Sequence, residues 1–265
     1  MPAPTILQKI VEVKRAELEA LAARESFDSL RARMADAPAP RGFLAALLRR
    51  TERVALIAEV KKASPSKGVI RADFDPVWIA QRYAAGGADC LSVLTDEQFF
   101  QGSLDYLRAV RAAVELPILR KDFTIDSLQL YEARAAGADA ILLIAACLDP
   151  HHLVDLHSEA QSIGLDVLVE IHDREEWDAL LAAGARFPLV GVNNRNLHTF
   201  DVTLDTTKHL ALPVLESAEL LVAESGIFTP QDVAELRAVG AGAILVGESL
   251  MRQPDPGLAA RSLLS

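Results

Sequence analysis

Residues 166–193 read DVLVEIHDREEWDALLAAGARFPLVGVN, and their pattern decides the fold. Asp166-Val-Leu-Val-Glu-Ile-His172 is an apolar run of strand length, Arg174 to Ala183 has the spacing of an amphipathic helix, and Leu189-Val-Gly-Val-Asn193 is a second apolar run. Between helix and second run stands Gly184-Ala185. Glycine stops a helix there because the residue past the last turn takes a left-handed backbone that only glycine adopts without cost. Strand, helix and strand in this order make a parallel β-α-β unit, since a parallel connection has to cross back over the sheet.

Working outward, the pair recurs at Gly87-Ala88, Gly137-Ala138 and Gly240-Ala241, with neighbouring pairs 47 to 56 residues apart. That interval is about two strand-plus-helix units. Each pair opens an apolar run: Cys90-Leu-Ser-Val-Leu94, Ala140-Ile-Leu-Leu-Ile144 and Ala243-Ile-Leu-Val-Gly247. Midway lie Ala55-Leu-Ile-Ala-Glu-Val-Lys61, Pro117-Ile-Leu-Arg-Lys-Asp-Phe123 and Leu220-Leu-Val-Ala-Glu-Ser-Gly226, which with the opening stretch make eight strands. Helical segments such as Pro76 to Gly86, Asp126 to Ala136 and Pro230 to Val239 separate them. The pattern predicts an α/β fold, a (β/α)8 TIM barrel. A doubly wound open sheet shares the alternation, but no Gly-x-Gly-x-x-Gly follows the first strand, and Gly240-Ala-Gly242 precedes its strand instead of following it. Residues 51–265 suffice for the barrel; residues 1–50 are read as an N-terminal helical extension, with an amphipathic helix over Ile6 to Arg24 and a Pro38-Ala-Pro40 linker.

Composition narrows the classes of function. The 265 residues carry 27 basic and 37 acidic side chains, a formal charge of −10. Lys and Arg are scattered, which argues against a nucleic-acid or anionic-membrane partner. The longest uncharged apolar stretch, Ala140 to Leu148, is too short to cross a bilayer, and charges interrupt the first helix too often for a signal peptide. A soluble cytoplasmic protein is expected. Cys90 and Cys147 both sit in apolar runs, as reduced core thiols do.

Barrel enzymes carry their reactive groups at the C-terminal ends of the strands. Glu59 and Lys61 end the first run, Lys121 the third, Glu170 the fifth, Asn193 and Arg195 the sixth, and Glu224 with Ser225 the seventh. Period-two alternation places Ile57, Glu59 and Lys61 on one face, so the two charges are expected to point into the barrel mouth. Any one of them taken alone reads better as an ion pair at a strand rim. The set argues for more: three cations (Lys61, Lys121, Arg195) and three carboxylates (Glu59, Glu170, Glu224) converging on one rim are costly to desolvate unless paired, and acid-base chemistry on an anion gives them a purpose. Desolvation is expected to lower the pKa of a lysine in such a place. Ser225-Gly226 and Gly247-Glu248-Ser249 follow the seventh and eighth strands, where many barrels hold phosphate on backbone N–H groups. Glu248 would repel an anion with its side chain, so its backbone N–H is the expected contact. The polar loop Ser64 to Gly68 suits a lid or anion clamp, and Phe99-Phe100 either a wall for an aromatic ligand or a cap on the core. His151, His152 and His157 read as solvated residues of an outer helix, and no histidine spacing suggests a metal site.

These residues also form motifs: Glu59-Val-Lys-Lys-Ala-Ser-Pro-Ser66, Phe100-Gln-Gly-Ser103, Pro117-Ile-Leu-Arg-Lys-Asp-Phe123, Gly191-Val-Asn-Asn-Arg195, Glu224-Ser-Gly226 and Val246-Gly-Glu-Ser249, with Ile6-Leu-Gln-Lys-Ile-Val and Arg41-Gly-Phe43 upstream. In that order the chain resembles the indole-3-glycerol phosphate synthase family of tryptophan biosynthesis. The resemblance implies a carboxy-lyase that turns 1-(2-carboxyphenylamino)-1-deoxyribulose 5-phosphate into indole-3-glycerol phosphate, carbon dioxide and water without cofactor or metal. It implies Lys121 as the general acid of ring closure, Lys61 as a cation near the carboxylate or second proton donor, and Glu170 as base or acid of the dehydration. Glu59 and Asn193 would orient these groups, with Ser225 beside them. Ser64, Arg195 and Glu224 would meet the substrate, Phe100 and Phe123 its ring, and Leu245, Gly226, Gly247 and Glu248 the phosphate side. The extension would cover the barrel mouth. The expected partner is the anionic phosphosugar-anthranilate substrate alone, on a monomer or weak homo-oligomer. Two rivals stay open: the related isomerase barrel of the preceding step, expected to show a cysteine where this chain has Lys61, and a phosphate-ligand sensor without catalysis.

Overall fold

The computed structural model describes residues 5–184, 186–196 and 199–265. Eight parallel strands close a barrel: β1 (Ala55–Val60), β2 (Cys90–Leu94), β3 (Ile118–Lys121), β4 (Ala140–Ile144), β5 (Asp166–Ile171), β6 (Leu189–Asn193), β7 (Leu220–Glu224) and β8 (Ala243–Val246). Each pairs with its sequence neighbours, and β1 closes on β8 through Ala55 opposite Ala243. These are the eight apolar runs of the sequence. The repeating glycine does what its position predicts, with φ of 93° at Gly87, 92° at Gly137, 86° at Gly184 and 101° at Gly240. Ala185 lies outside the described residues, as do residues 1–4 of the extension.

The helices are α1 (Ile6–Arg24), α2 (Phe27–Asp36), α3 (Phe43–Leu48), α4 (Pro76–Gly86), α5 (Glu97–Phe100), α6 (Leu104–Ala113), α7 (Ser127–Ala135), α8 (Pro150–Ser162), α9 (Arg174–Ala182), α10 (Asp205–Leu215), α11 (Pro230–Ala238), α12 (Glu248–Met251) and α13 (Pro256–Leu263). Most begin at a side-chain cap; at α1, Thr5 and Gln8 cap each other's backbone N–H. No helix among the described residues is long and apolar enough to cross a membrane.

Two apolar layers hold the barrel. Alternate strand residues such as Leu56, Val169, Val190 and Leu221 pack outward under the helices, while Ile57, Leu119, Leu142, Leu168, Val222 and Leu245 fill the interior. The interior layer continues into Phe43, Ala46 and Leu47 of α3, which meet Ala55, Cys90, Ala140 and Ala243 at the first residues of their strands. Helix α3 therefore plugs the N-terminal end of the barrel. Asp139 and Asp166 fix its approach by accepting the backbone N–H of Arg41 and Leu44 at 2.6 and 2.9 Å. Phe43 is fully buried, and such a side chain contributes roughly 1.5–3 kcal/mol. The resemblance implies that the whole extension covers the mouth; in the structure α1 lines the mouth with Ile6, Leu7 and Ile10, and α3 is at the opposite end. A short apolar helix following a Pro-rich linker has enough reach for this, and its apolar faces find a dry site only inside the barrel.

One histidine differs from expectation. His151 and His152 are exposed on α8, but His157 is buried edge-on against Phe187, with ring centroids 5.0 Å apart. Burial pushes it down to about 4, so it is a neutral core residue. Of the thiols, Cys90 is buried and Cys147 half-buried, and both are unpaired.

Candidate active site

Because all eight strands run the same way, their last residues share one rim. Glu59 is the penultimate residue of β1, Lys121 the last of β3, Glu170 the penultimate of β5, and Asn193 and Glu224 the last of β6 and β7. They surround one cavity, which is also lined by Lys61, Ser64, Phe100, Phe123, Arg195, Ser225, Gly226, Leu245, Gly247 and Glu248. Every residue to which the resemblance assigns a role is thus brought to one place, while Phe99 of the Phe99-Phe100 pair is not among the lining residues. Alternation holds as expected at β1: Ile57 faces the interior, and Glu59 and Lys61 follow it into the mouth.

Lys121 is the centre of the charged cluster. Its Nζ donates to Glu170 Oε2 at 2.7 Å and to Glu224 Oε2 at 3.3 Å. The other oxygen of Glu170 accepts from Asn193 Nδ2 at 3.0 Å and lies 3.3 Å from His172 Nε2. Across the mouth, Lys61 pairs with Glu59. The pairing expected for a dry rim is present, and it reverses the expected lysine shift. Burial alone would lower the Lys121 ammonium, but Glu170, Glu224 and Glu59 outweigh it and hold it above the usual lysine range. Lys121 is therefore a fully protonated group. Burial would likewise raise Glu170, yet Lys121 and His172 hold it well below the ordinary carboxylate range. Glu224 goes the other way: burial, with Glu170 adding to it against the pull of Lys121, raises it to about 8. At neutral pH the cluster thus contains an ammonium, a carboxylate and a carboxylic acid within one hydrogen-bonded group.

Two glycines make room for these acids. A Cβ on Gly191, mid-strand in β6, would stand 2.1 Å from Glu224 Oε1, and one on Gly247 would stand 2.1 Å from Glu59 Oε2. Ser225 at φ 65° and Gly226 at φ 78° turn the chain sharply after β7; for serine this is an uncommon conformation, of a kind that clusters at functional sites. Ser249 Oγ donates to the Ile227 carbonyl at 2.9 Å and ties this turn to the start of α12. Arg252 holds the Glu248 carboxylate at 2.9 Å, and Arg195 approaches it to 3.8 Å. Its charge is thereby engaged by two guanidinium groups. On the opposite wall Phe100 and Phe123 face each other with centroids 6.1 Å apart. The loop after β1 is more ordered than expected, a small hairpin pairing Ala63–Ser64 with Gly68–Val69.

The main residue missed by sequence reasoning is His172. It stands two positions after Glu170, so alternation alone puts both on one face, but a search for paired histidines passes over it. Glu176 Oε2 accepts its backbone N–H at 2.6 Å and lies 3.3 Å from Nδ1. Burial would lower this imidazole, but Glu170 and Glu176 raise it to about 10. It is an imidazolium at neutral pH and fixes Glu170 as an anion. Leu142 and Ile144 of β4 and Ile6, Leu7 and Ile10 of α1 also line the cavity; ordinary apolar residues give no sequence signal of this kind.

Glu224 makes a prediction about stability. Its folded-state value of about 8 stands above the ordinary 4.5, so its contribution is fully present below 4.5 and is lost as pH rises through 8. Glu224→Gln keeps the neutral shape. The difference in melting temperature, variant minus unaltered protein, should be near zero at about pH 4 and reach at least ~3 °C in favour of the variant at about pH 8 to 9. Calorimetry at the two pH values checks this; a constant difference would mean that Glu224 is not protonated in the folded protein.

Comparison with known proteins agrees with this geometry. A sequence profile described as indole-3-glycerol phosphate synthase matches residues 7–263. A protein of that name from Azoarcus sp. (strain BH72) is 55% identical over 262 residues, which cover 97% of this chain and 98% of the relative. Others so named are similar: that of Aromatoleum aromaticum is 53% identical over 260 residues, covering 97% of this chain and 98% of the relative. That of Albidiferax ferrireducens is 52% identical over 262 residues, covering 98% of each. With a match from end to end and a barrel whose strand ends carry the expected residues, the chain belongs to the indole-3-glycerol phosphate synthase family.

Proposed function

We propose that this protein converts 1-(2-carboxyphenylamino)-1-deoxyribulose 5-phosphate to indole-3-glycerol phosphate, with release of carbon dioxide and water. The observation that carries this reading is the contact between an ammonium and an ionised carboxylate, Lys121 and Glu170, 2.7 Å apart at the mouth of the barrel. Ring closure forms a carbon–carbon bond between the aromatic carbon bearing the carboxylate and the sugar carbonyl carbon, whose oxygen must gain a proton as it becomes a hydroxyl. Lys121 is the group that holds that proton. Loss of the carboxylate as carbon dioxide restores the aromatic ring. Dehydration then takes a proton from carbon and delivers one to the departing hydroxyl, which requires a base and an acid together. Glu170 is the base, and Lys61, paired with Glu59 in the same cavity, is the second cation. Asn193 and Glu59 orient these groups.

The remaining contacts follow from chemistry. Phe100 and Phe123 offer an apolar wall to the anthranilate ring. Ser225, Gly226, Gly247 and the backbone N–H of Glu248 face the phosphate, with Leu245 beneath and Arg195 and Ser64 at the rim. Residues 1–50 act as an extension to a 51–265 catalytic barrel. The protein works in the cytoplasm as a monomer or weak homo-oligomer, on this small anionic substrate, and without nucleic acid, cofactor or metal.

The test mixes purified, metal-stripped protein with the substrate and follows indole fluorescence and carbon dioxide together. Equal appearance of both is the expected result. Tight binding without turnover would make the protein a sensor of a phosphate ligand, and neither binding nor turnover would mean that the substrate is wrong.

A further inference from the structure

Helix α1 carries a buried charge that takes no part in the chemistry above. Lys14 is 2% exposed, and a lysine that buried needs partners. Its Nζ lies 3.0 Å from Asp96 Oδ2, 2.9 Å from Asp122 Oδ1 and 2.6 Å from Glu17 Oε2. Asp96 and Asp122 are themselves only 0% and 4% exposed. Both carboxylates hold the aromatic wall. Asp96 Oδ1 accepts the backbone N–H of Phe99 at 2.7 Å and of Phe100 at 3.2 Å, which caps α5 and presents Phe100. Asp122 Oδ1 accepts the backbone N–H of Phe123 at 2.8 Å. Among the described residues Asp96 Oδ2 has no hydrogen-bond donor and has Lys14 as its ion-pair partner. On the helix side, Lys14 stands one turn beyond Ile10, and Ile6, Leu7 and Ile10 line the cavity.

We infer that Lys14 is a specificity-determining positioning residue: by bridging Asp96 and Asp122 it seats the apolar face of α1 and the Phe100–Phe123 pair as two walls around the aromatic ring of the substrate. The inference rests on the proposed function. Lys14 reaches no reacting group. Asp122, which follows Lys121, keeps Thr95 Oγ1 at 2.6 Å and Arg120 at 3.2 Å without it. The catalytic lysine therefore stays in place when Lys14 is changed, and the loss falls on ring binding, which is equal in ground and transition states. Such a loss raises KM and spares kcat.

The experiment compares the unaltered protein with Lys14→Met and Lys14→Arg in the fluorescence assay, using glycerol 3-phosphate as a competitor without a ring. Lys14→Met is expected to raise KM about tenfold with kcat within about threefold, to leave inhibition by glycerol 3-phosphate unchanged, and to be largely restored in Lys14→Arg. Lys14→Gln, which removes the bridging charge but keeps a polar side chain of lower burial cost, is read in place of the methionine variant if the latter does not fold, with the same split expected. An unchanged KM, a fall in kcat alone, or equal weakening of substrate and glycerol 3-phosphate overturns the inference. Absence of turnover by the unaltered protein overturns the function on which it rests, and the two failures are thus told apart.

Discussion

Replacing Lys121 by alanine is expected to lower turnover by at least ~10²-fold, the scale of a lost general acid. Lys121 is the ammonium in contact with both Glu170 and Glu224, and carbon dioxide release and indole formation should slow together, because ring closure precedes both. The fold should survive, since Glu170 keeps Asn193 and His172 as partners. Glu224, without its cation, is raised further and stays neutral. A second variant separates proton donation from ion pairing. Lys121→Arg retains a positive charge beside the two carboxylates, but a guanidinium holds its proton too tightly to give it up. It should recover stability while its turnover stays at least ~10-fold below that of the unaltered protein. Near-normal turnover in either variant would remove Lys121 from the acid role. Recovery in the arginine variant alone would reduce it to a counter-ion.

The barrel was legible in the sequence because its two signals are local. Apolar runs mark strands, and a glycine that must take positive φ marks the ends of α4, α7, α9 and α11, so the eight strands follow from pattern alone. The rim was legible for a related reason: Glu59, Lys121, Glu170, Asn193 and Glu224 are polar residues at the ends of apolar strands, where burial without function is costly. What stayed hidden depends on contacts between distant segments. Helix α3 fills the N-terminal end of the barrel because Asp139 and Asp166 receive its backbone, and nothing within residues 43–48 states which end that is. His157 on a polar helix looks solvated until Phe187 is brought against it. The direction of the Lys121 shift depends on which wins, desolvation or three nearby carboxylates, and only distances decide that. Lys14 looks like an ordinary surface charge in α1, and its burial appears only when β2 and β3 present Asp96 and Asp122 to it.

Glu170→Gln is expected to lower indole formation by at least ~10²-fold and to separate the two products in time. Lys121 Nζ and Asn193 Nδ2 donate to the two oxygens of Glu170, and His172 Nε2 stands 3.3 Å away as an ion-pair partner. A carboxylate accepts from both donors, whereas glutamine must point its own N–H2 group at one, which leaves a buried donor unmatched at a cost of about 1–3 kcal/mol. The chemical loss is more specific. If Glu170 removes the proton during dehydration, ring closure and loss of carbon dioxide still proceed on Lys121, and carbon dioxide should appear ahead of indole fluorescence in a single turnover. In Lys121→Ala the two should stay in step. His172 adds an independent check, because it is raised to about 10 by Glu170 and Glu176 together. Without the Glu170 charge it must titrate at lower pH, visible in its imidazole NMR signals. Carbon dioxide and indole that slow equally in Glu170→Gln, with His172 shifted as expected, would place Glu170 in ring closure beside Lys121 and leave Lys61 and Glu59 as the pair that removes water.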